Sequence, residues 1–210
     1  MVPYPMTTDL LAPHATTLNA EDLQRIFERM EDVLAQHRVK LDLVLIGSSI
    51  LISEGQPGRA TCDIDVWKRR QRMEQQWLPR LAEACGLAID PPHDDTGRPH
   101  FSWVNNDFIG YPDYDTWKDD TAVFWQGDHL TLRKPPIGII LGSKIAAGRD
   151  KDDQDIQWIL DACPEPEWRA SLETYTPLFE KRVQAKLQQN LYYFDMRVQA
   201  RQQRAKGHKP

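Results

Sequence analysis

The sequence predicts an α/β fold, in which a small mixed β-sheet is flanked by helices and followed by a helical C-terminal appendage. Two segments predict the sheet. The apolar run at residues 41–46 is typical of a buried strand, and residues 60–67 alternate as a second strand does. The first flanking helix is predicted by an apolar stripe at helical spacing, formed by Leu23, Ile26, Phe27, Met30, Val33 and Leu34.

Residues that cap or end helices predict the helices in the first half of the chain. Asn19 can cap a helix that carries Asp22 in its first turn. A short helix is predicted at 48–53, and a longer one at 70–85 ends at Gly86. The residues predicted to face inward from this longer helix are Met73, Trp77, Leu81 and Cys85.

The second half contains a hairpin and then helices. Residues 101–105 fit a strand or an edge segment, and residues 122–132 form a hairpin around a Gly-centred turn. A helix is predicted at 137–162 with an irregularity at Gly148, and one or two helices at 167–207.

Three regions follow from these assignments. Residues 1–18, rich in Pro and Thr, are predicted to be a flexible N-terminal segment, residues 19–163 the main domain, and residues 164–210 a helical C-terminal extension with a basic tail. Hydrophobic residues make up 40% of the 210 positions, which is enough for a core. No apolar run is long enough to span a membrane and no signal peptide is visible, so a cytoplasmic location is predicted.

The cysteines do not form a disulfide framework or a metal motif. They are three in number, far apart, and include no C-x-x-C. Cys62 precedes the two acids described next and is predicted to be a small core residue.

The most informative feature is a pair of aspartates one residue apart. Asp63 and Asp65 lie in the second predicted strand and therefore point to one face, because a strand alternates its side chains. Two adjacent carboxylates repel each other unless a cation lies between them, and Mg²⁺ takes one or two carboxylates plus phosphate oxygens. The bland alternative is a solvated surface pair.

A Gly-Ser turn directly after the first strand adds the features of a phosphate site. Gly47 allows a ligand to approach the backbone closely. Ser48 and Ser49 open the short predicted helix, whose first N–H groups favour an anion. The order of strand, turn, helix and acid pair therefore favours a nucleotide site over a surface pair.

These motifs resemble the nucleotidyltransferase fold of the polymerase-β superfamily. The matching residues are Ile46-Gly47-Ser48 and Asp63-Ile64-Asp65-Val66. The segments Arg59–Asp65 and Lys144–Ile156 are similar to those of AbiEii-toxin-like proteins and their uncharacterised relatives. The resemblance covers roughly residues 20–162. It implies a Mg²⁺- or Mn²⁺-dependent enzyme that moves a nucleoside monophosphate from an NTP to a hydroxyl acceptor.

The resemblance also implies roles for single residues. Lys144 or Lys151 would reach the triphosphate, and Asp152 or Asp155 would orient it. The implied metal ligands are Asp63 and Asp65, and the implied catalytic set is Asp63, Asp65, Lys144 and Asp152. The implied nucleotide-binding set is Gly47, Ser48, Ser49, Lys151 and Asp155. The alternative for the later block is a salt-bridged helix that is mostly solvated.

The third carboxylate that this chemistry normally uses has no clear place in the sequence. Asp90, Asp107 and Asp128 are candidates, but none lies between hydrophobic strand residues. Without a third acid, the chain would bind nucleotide without transferring it, or would recruit Asp152 or Asp155.

Two further segments allow a functional and a structural interpretation. The loop at 91–100 holds two histidines and two acids, which suit either a metal site or solvent. The aromatic side chains of the following loop either stack a base or pack beneath it; they are Tyr111, Tyr114 and Trp117.

The charge of the chain is unevenly distributed. The whole protein carries −5, whereas residues 181–210 hold eight bases and one acid, a net charge of +7. This tail is predicted either to contact RNA phosphates or to be a solvated helix face. AbiEii-like relatives suggest a bacterial toxin–antitoxin or defence role with a cognate antitoxin partner. The alternatives are a catalytically inactive nucleotide- or protein-binding module and an antibiotic-modifying nucleotidyltransferase.

Overall fold

The computed structural model describes residues 11, 15–67, 72–92, 97–104, 110–192 and 196. The chain divides into two compact units. The first, called the sheet unit here, comprises Met1–Asp107 and Asp120–Pro135; the second, the helical unit, comprises Phe108–Asp119 and Pro136–Pro210. Among the described residues, no helix has the length and apolar character needed to cross a membrane.

The sheet unit contains a six-stranded mixed sheet, which confirms the predicted α/β class. In chain order the strands are β1 (Leu41–Ile46), β2 (Asp63–Trp67), β3 (Ala88–Ile89), β4 (His100–Val104), β5 (Ala122–Gln126) and β6 (Leu130–Lys134). Their order across the sheet is β3-β4-β2-β1-β6-β5. Strand β1 is antiparallel to β2 and parallel to β6, and β4 is parallel to both β2 and β3.

In the described part of the sheet unit the helices are α1 (Ala20–His37), α2 (Ser48–Ser53) and α3 (Arg72–Ala84). The predicted cap of α1 is confirmed, because Asn19 and Asp22 exchange side-chain-to-backbone hydrogen bonds of 3.0 Å in both directions. The predicted apolar stripe of α1 is entirely buried. Strand β2 is extended at its start by Leu18, which pairs with Thr61.

Helix α1 contacts the sheet at a register shift in β5. The register of β5 against β6 shifts between Val123 and Trp125, which leaves Phe124 as an extra residue. The rings of Phe124 and Trp125 both lie edge-on to Phe27 of α1, with centroids 6.2 and 6.1 Å away. The indole N–H of Trp125 also donates to Gln24 at 3.2 Å.

The predicted hairpin is confirmed, and one carboxylate of α1 holds its turn. Glu31 accepts the backbone N–H groups of His129 at 2.9 Å and Leu130 at 2.7 Å. A carboxylate that accepts several backbone N–H groups satisfies donors that the turn leaves unpaired. The β5–β6 turn is thereby tied to the first helix of the chain.

Two side chains differ from the sequence-based expectations. Met73 was predicted to face inward but is 45% exposed. It lies in the first turn of α3, before the part of the helix that packs against the core. The spacing of apolar residues does not indicate where along a helix the packing begins. Cys62 was predicted to be a core residue but is half-buried, because it precedes β2 and does not share that strand's alternation.

The β3–β4 region confirms one of the two predicted alternatives. The segment expected to be a strand or an edge is a strand, β4, and it lies inside the sheet between β2 and β3. The true edge is β3, whose two residues, Ala88 and Ile89, are too short to give a periodic signal.

The helical unit contains α4 (Ile137–Ala147), α5 (Asp150–Ala162), α6 (Glu165–Tyr175) and a further helical stretch at residues 181–192. The predicted irregularity at Gly148 is a true end of α4, since this residue has a left-handed φ of +59°. The aromatic side chains predicted either to stack a base or to pack do pack: Trp117 is 1% exposed and donates to the carbonyl of Pro112 at 3.2 Å. Tyr114 meets its ring edge-on at 4.9 Å.

Candidate functional site

The Gly-Ser turn and the acid pair lie side by side in the sheet unit. Antiparallel pairing places Ile46, the last residue of β1, opposite Asp65. Gly47 follows with φ +78°, and a Cβ built on it would lie 2.5 Å from Asp65 Oδ2. The backbone therefore passes the carboxylate so closely that only glycine fits.

The two acids share one face of β2, as their spacing predicts. Asp63 and Asp65 are half-buried, whereas Ile64 and Val66 on the other face are fully buried. The hydroxyl of Thr61 donates a short hydrogen bond to Asp63 Oδ1. Thr61, which also pairs with Leu18, therefore orients the carboxylate of Asp63.

The two serines of the turn have different environments. Gly47 is the N-cap residue of α2, and Ser48 begins the helix half-buried. Ser49 is 1% exposed, and its hydroxyl donates to the carbonyl of Ile46 at 3.4 Å. Of the two predicted phosphate contacts, Ser48 is the one whose side chain is not enclosed by the core.

The face that carries the acids is called the acid face here. The strand register places on it, besides Asp63 and Asp65, the side chains of Asp42, Val44, Ile46, Trp67, His100, Ser102, Val104, Thr131 and Arg133. Arg133 Nε lies 2.8 Å from Asp42 Oδ2, and both side chains are partly exposed. On the opposite face Leu43, Leu45, Ile64 and Val66 are fully buried, and this face receives α1, as the contact between Trp125 and Phe27 shows.

No third acid occupies the neighbouring strand. In β4, His100 is in register with Asp63, and Ser102 with Asp65. His100 is buried, and its Nδ1 lies 2.9 Å from the carbonyl oxygen of Arg98. Within the described part of the chain, no group of three or more His, Cys, Asp or Glu side chains could hold a metal ion. The other members of the alternative metal prediction, His93, Asp94 and Asp95, lie outside the described residues.

The three candidates for the third carboxylate do not fill this gap. Asp90 leaves β3 with φ +43°, and its carboxylate accepts the N–H of Trp103 at 2.8 Å. Asp128 lies in the β5–β6 turn, at the end of the sheet where β1 begins, whereas the acid pair lies where β1 ends. Asp107 lies outside the described residues.

The charged residues of the later block form a buried cluster in the helical unit. Lys144 Nζ lies 2.6 Å from Asp155 Oδ2 and 3.4 Å from Asp152 Oδ1. Arg149 Nε lies 2.6 Å from Asp152 Oδ2. Lys144, Asp152 and Asp155 are 4%, 1% and 0% exposed, so the predicted alternative of a salt-bridged helix holds for the ion pairs but not for the solvation of these three side chains.

The break at Gly148 explains this cluster. A continuous helix would place Lys144, Lys151 and Asp155 on one face, whereas ending α4 and restarting the chain as α5 brings Asp152 inward and leaves Lys151 exposed. A buried ammonium group is stabilised only when carboxylates surround it. The observed contacts give the cluster a structural role, and its predicted contact with nucleotide stays a prediction.

The basic tail lies largely outside the described residues, so its predicted contact with RNA also stays a prediction.

Comparisons with known proteins give one similar solved structure and one matching family model. A similar solved structure is that of an antigenic nucleotidyltransferase-like protein from Paracoccidioides brasiliensis, with 13% identity and a TM-score of 0.44 over 82% of this chain and 94% of that chain. No curated protein matches the chain. A family model described as "Nucleotidyltransferase of unknown function (DUF6036)" matches residues 21–162. The matched region includes the Gly-Ser turn, the acid pair and the buried cluster, and the chain belongs to this nucleotidyltransferase family.

Proposed function

We propose that this chain is a Mg²⁺-dependent nucleotidyltransferase, which transfers a nucleoside monophosphate from an NTP to a hydroxyl acceptor. One observation carries the proposal: the backbone of Gly47 passes directly beside the carboxylate of Asp65. This arrangement places a Gly-Ser turn, which would bind phosphate, beside a carboxylate that would bind the metal ion. The match to a nucleotidyltransferase family over residues 21–162 supports the same chemistry.

The donor set suits Mg²⁺ or Mn²⁺ bound together with a nucleotide. Asp63 and Asp65 supply carboxylates from one face of β2, and both are half-buried. Mg²⁺ is held by one or two carboxylates and takes its other ligands from water and phosphate oxygens. Asp63 and Asp65 would hold the ion, which neutralises charge on the reacting phosphate when bound. Ser48 would orient the triphosphate from the start of α2.

The acceptor is proposed to be RNA, in a toxin of a bacterial toxin–antitoxin or defence system. The +7 charge of residues 181–210 supports a nucleic-acid acceptor, because basic segments bind phosphates through counterion release. The similarity of the Lys144–Ile156 block to AbiEii-like proteins supports the toxin setting.

A second candidate is a catalytically inactive module that binds nucleotide. The observation that favours it is the pair of residues in register with the acids, since His100 and Ser102 are not carboxylates. Such a protein would bind Mg²⁺–NTP without consuming it.

The test combines binding with turnover. Wild-type protein is titrated calorimetrically with Mg²⁺ and each NTP, and is then incubated with labelled NTP, Mg²⁺ and total RNA. The double variant Asp63→Asn/Asp65→Asn should lose NTP-dependent metal binding and transfer while it melts normally. Asp42→Asn is the matched control, because it removes another acid of the same face and should leave metal binding unchanged.

Three results separate the candidates. Binding with label transfer supports the enzyme, and binding without transfer supports the inactive module. Unchanged metal–NTP titration of the double variant would refute both.

A further inference from the structure

One basic side chain shares the acid face with the metal-binding carboxylates. Arg133 of β6 is in register with Val44 of β1, two residues before Ile46, which is opposite Asp65. Paired residues project to the same face of a sheet. Among the described strands, Arg133 is the only Lys or Arg on this face.

The strand geometry places Arg133 within reach of a bound nucleotide. A strand spacing of about 4.8 Å and a rise of about 3.3 Å per residue put its Cα about 12 Å from that of Asp65. A long arginine side chain covers part of this separation, and a metal-bound triphosphate would cover the remainder. Val44 and Ile46 of β1 lie between the two strands that carry these residues, and they are 0% and 1% exposed.

The contacts of Arg133 leave most of its guanidinium group available. Nε lies 2.8 Å from Asp42 Oδ2, and the two side chains are 34% and 41% exposed. Within the part of the chain that the structure describes, the two Nη groups make no hydrogen bond. The planar fork of arginine suits bidentate contact with phosphate.

We propose that Arg133 is a phosphate-binding residue of the nucleotide site, which contacts the triphosphate while Asp63 and Asp65 hold the metal. This inference rests on the proposed function. Its physical reason is charge: a triphosphate carries more negative charge than one divalent ion neutralises, and the face already carries Asp42, Asp63 and Asp65. The neighbouring Lys134 cannot serve, because it projects to the opposite face and pairs with Glu54.

The test compares substitutions that change the same charge on opposite faces. Arg133→Gln and Lys134→Gln each remove one positive charge and one ion pair. Calorimetric titration with Mg²⁺ and ATP, GTP, CTP or UTP should show that Arg133→Gln raises the dissociation constant about tenfold or more. Lys134→Gln should change it by less than about twofold. Binding of the corresponding monophosphate should weaken less, because the proposed contact is with the triphosphate.

Two further variants separate binding from folding. Asp42→Asn breaks the same ion pair but keeps the guanidinium group, so it should bind nucleotide as wild type does. Arg133→Lys should retain part of the affinity, because lysine supplies the charge without the fork. Thermal melting identifies any variant that has lost its fold. If Arg133→Gln does not fold, the nucleotide affinity of Arg133→Lys tests the proposal instead.

The outcomes are distinct from those that test the proposed function. If Arg133→Gln binds as tightly as Lys134→Gln, or if Asp42→Asn loses as much affinity, Arg133 is merely structural while the nucleotide site stands. Equal weakening for triphosphate and monophosphate also overturns the inference. If wild-type protein binds no Mg²⁺–NTP at all, the proposed function fails, and the role of Arg133 fails with it.

Discussion

Replacing Gly47 by alanine should damage the fold and the proposed metal site through one methyl group. The new Cβ would lie 2.5 Å from Asp65 Oδ2, so the carboxylate or the turn must move. The backbone angles of Gly47, φ +78° and ψ −161°, are also nearly closed to other residues. Strain of this kind is of order 1–3 kcal/mol, and with the contact we expect a loss of about 2–4 kcal/mol in the free energy of unfolding.

A second glycine separates the two contributions. Gly58 has φ +65° but open space around its Cβ position, so Gly58→Ala should lose only about 1–2 kcal/mol from backbone strain. In an Asp65→Ala background, Gly47→Ala should become less destabilising, because its clash is gone. Urea denaturation measures these differences, and calorimetry with Mg²⁺–NTP should show binding lost in Gly47→Ala and kept in Gly58→Ala. If Gly47→Ala binds normally and is no less stable than Gly58→Ala, the assigned contact between turn and acid is wrong.

Three further predictions concern other parts of the chain. Lys144→Met should lose about 3–5 kcal/mol of unfolding free energy in urea, because it leaves two buried carboxylates without their ammonium partner, whereas Arg149→Gln, at a side chain 55% exposed, should lose less. Burial raises the pKa of the Cys85 thiol from 9.0 to about 12, so the unfolded chain loses this proton first and stability should fall as the pH rises from 9 towards 12. Urea titrations at several pH values should show that fall in wild type and a smaller one in Cys85→Ala. Deleting the residues after Tyr193 should flatten the salt dependence of RNA binding, by about 0.7 in log–log slope per lost phosphate contact, and leave Mg²⁺–NTP binding unchanged.

The centre of the candidate site could be predicted because its signals are local. Asp63 and Asp65 are two residues apart, so any strand places them on one face. The Gly47 turn directly follows a strand of six residues that is almost wholly buried, and such a run is easily recognised. The contact between the turn and Asp65 then needs only one antiparallel pairing, β1 with β2.

The residues that sequence reasoning missed depend on pairing between distant segments. Arg133, His100 and Ser102 reach the acid face through parallel registers of β6 and β4, and no local pattern reports a register between segments so far apart. Alternation along β6 predicts that Arg133 and Leu132 project to different faces of the sheet. It does not predict which strand lies beside β6.

The buried cluster shows a different limit. If one helical period continues through Gly148, the charged residues of Lys144–Ile156 fall on a solvated face. The left-handed turn at this residue restarts the helix at Asp150, and the new phase buries Asp152 and Asp155 against Lys144. A glycine within a charged helical pattern can thus change which face is buried, which composition alone does not indicate.

The pairing of Leu18 with Thr61 has a practical consequence for anyone who produces this domain as a recombinant fragment. The family match begins at residue 21, and a gene trimmed to that boundary would remove Leu18. Its side chain is 0% exposed, and its backbone exchanges hydrogen bonds of 2.6 and 3.0 Å with Thr61. Since Thr61 in turn holds the carboxylate of Asp63, such a fragment would lack part of the support for this proposed metal ligand. Expression boundaries should therefore be set several residues before Leu18.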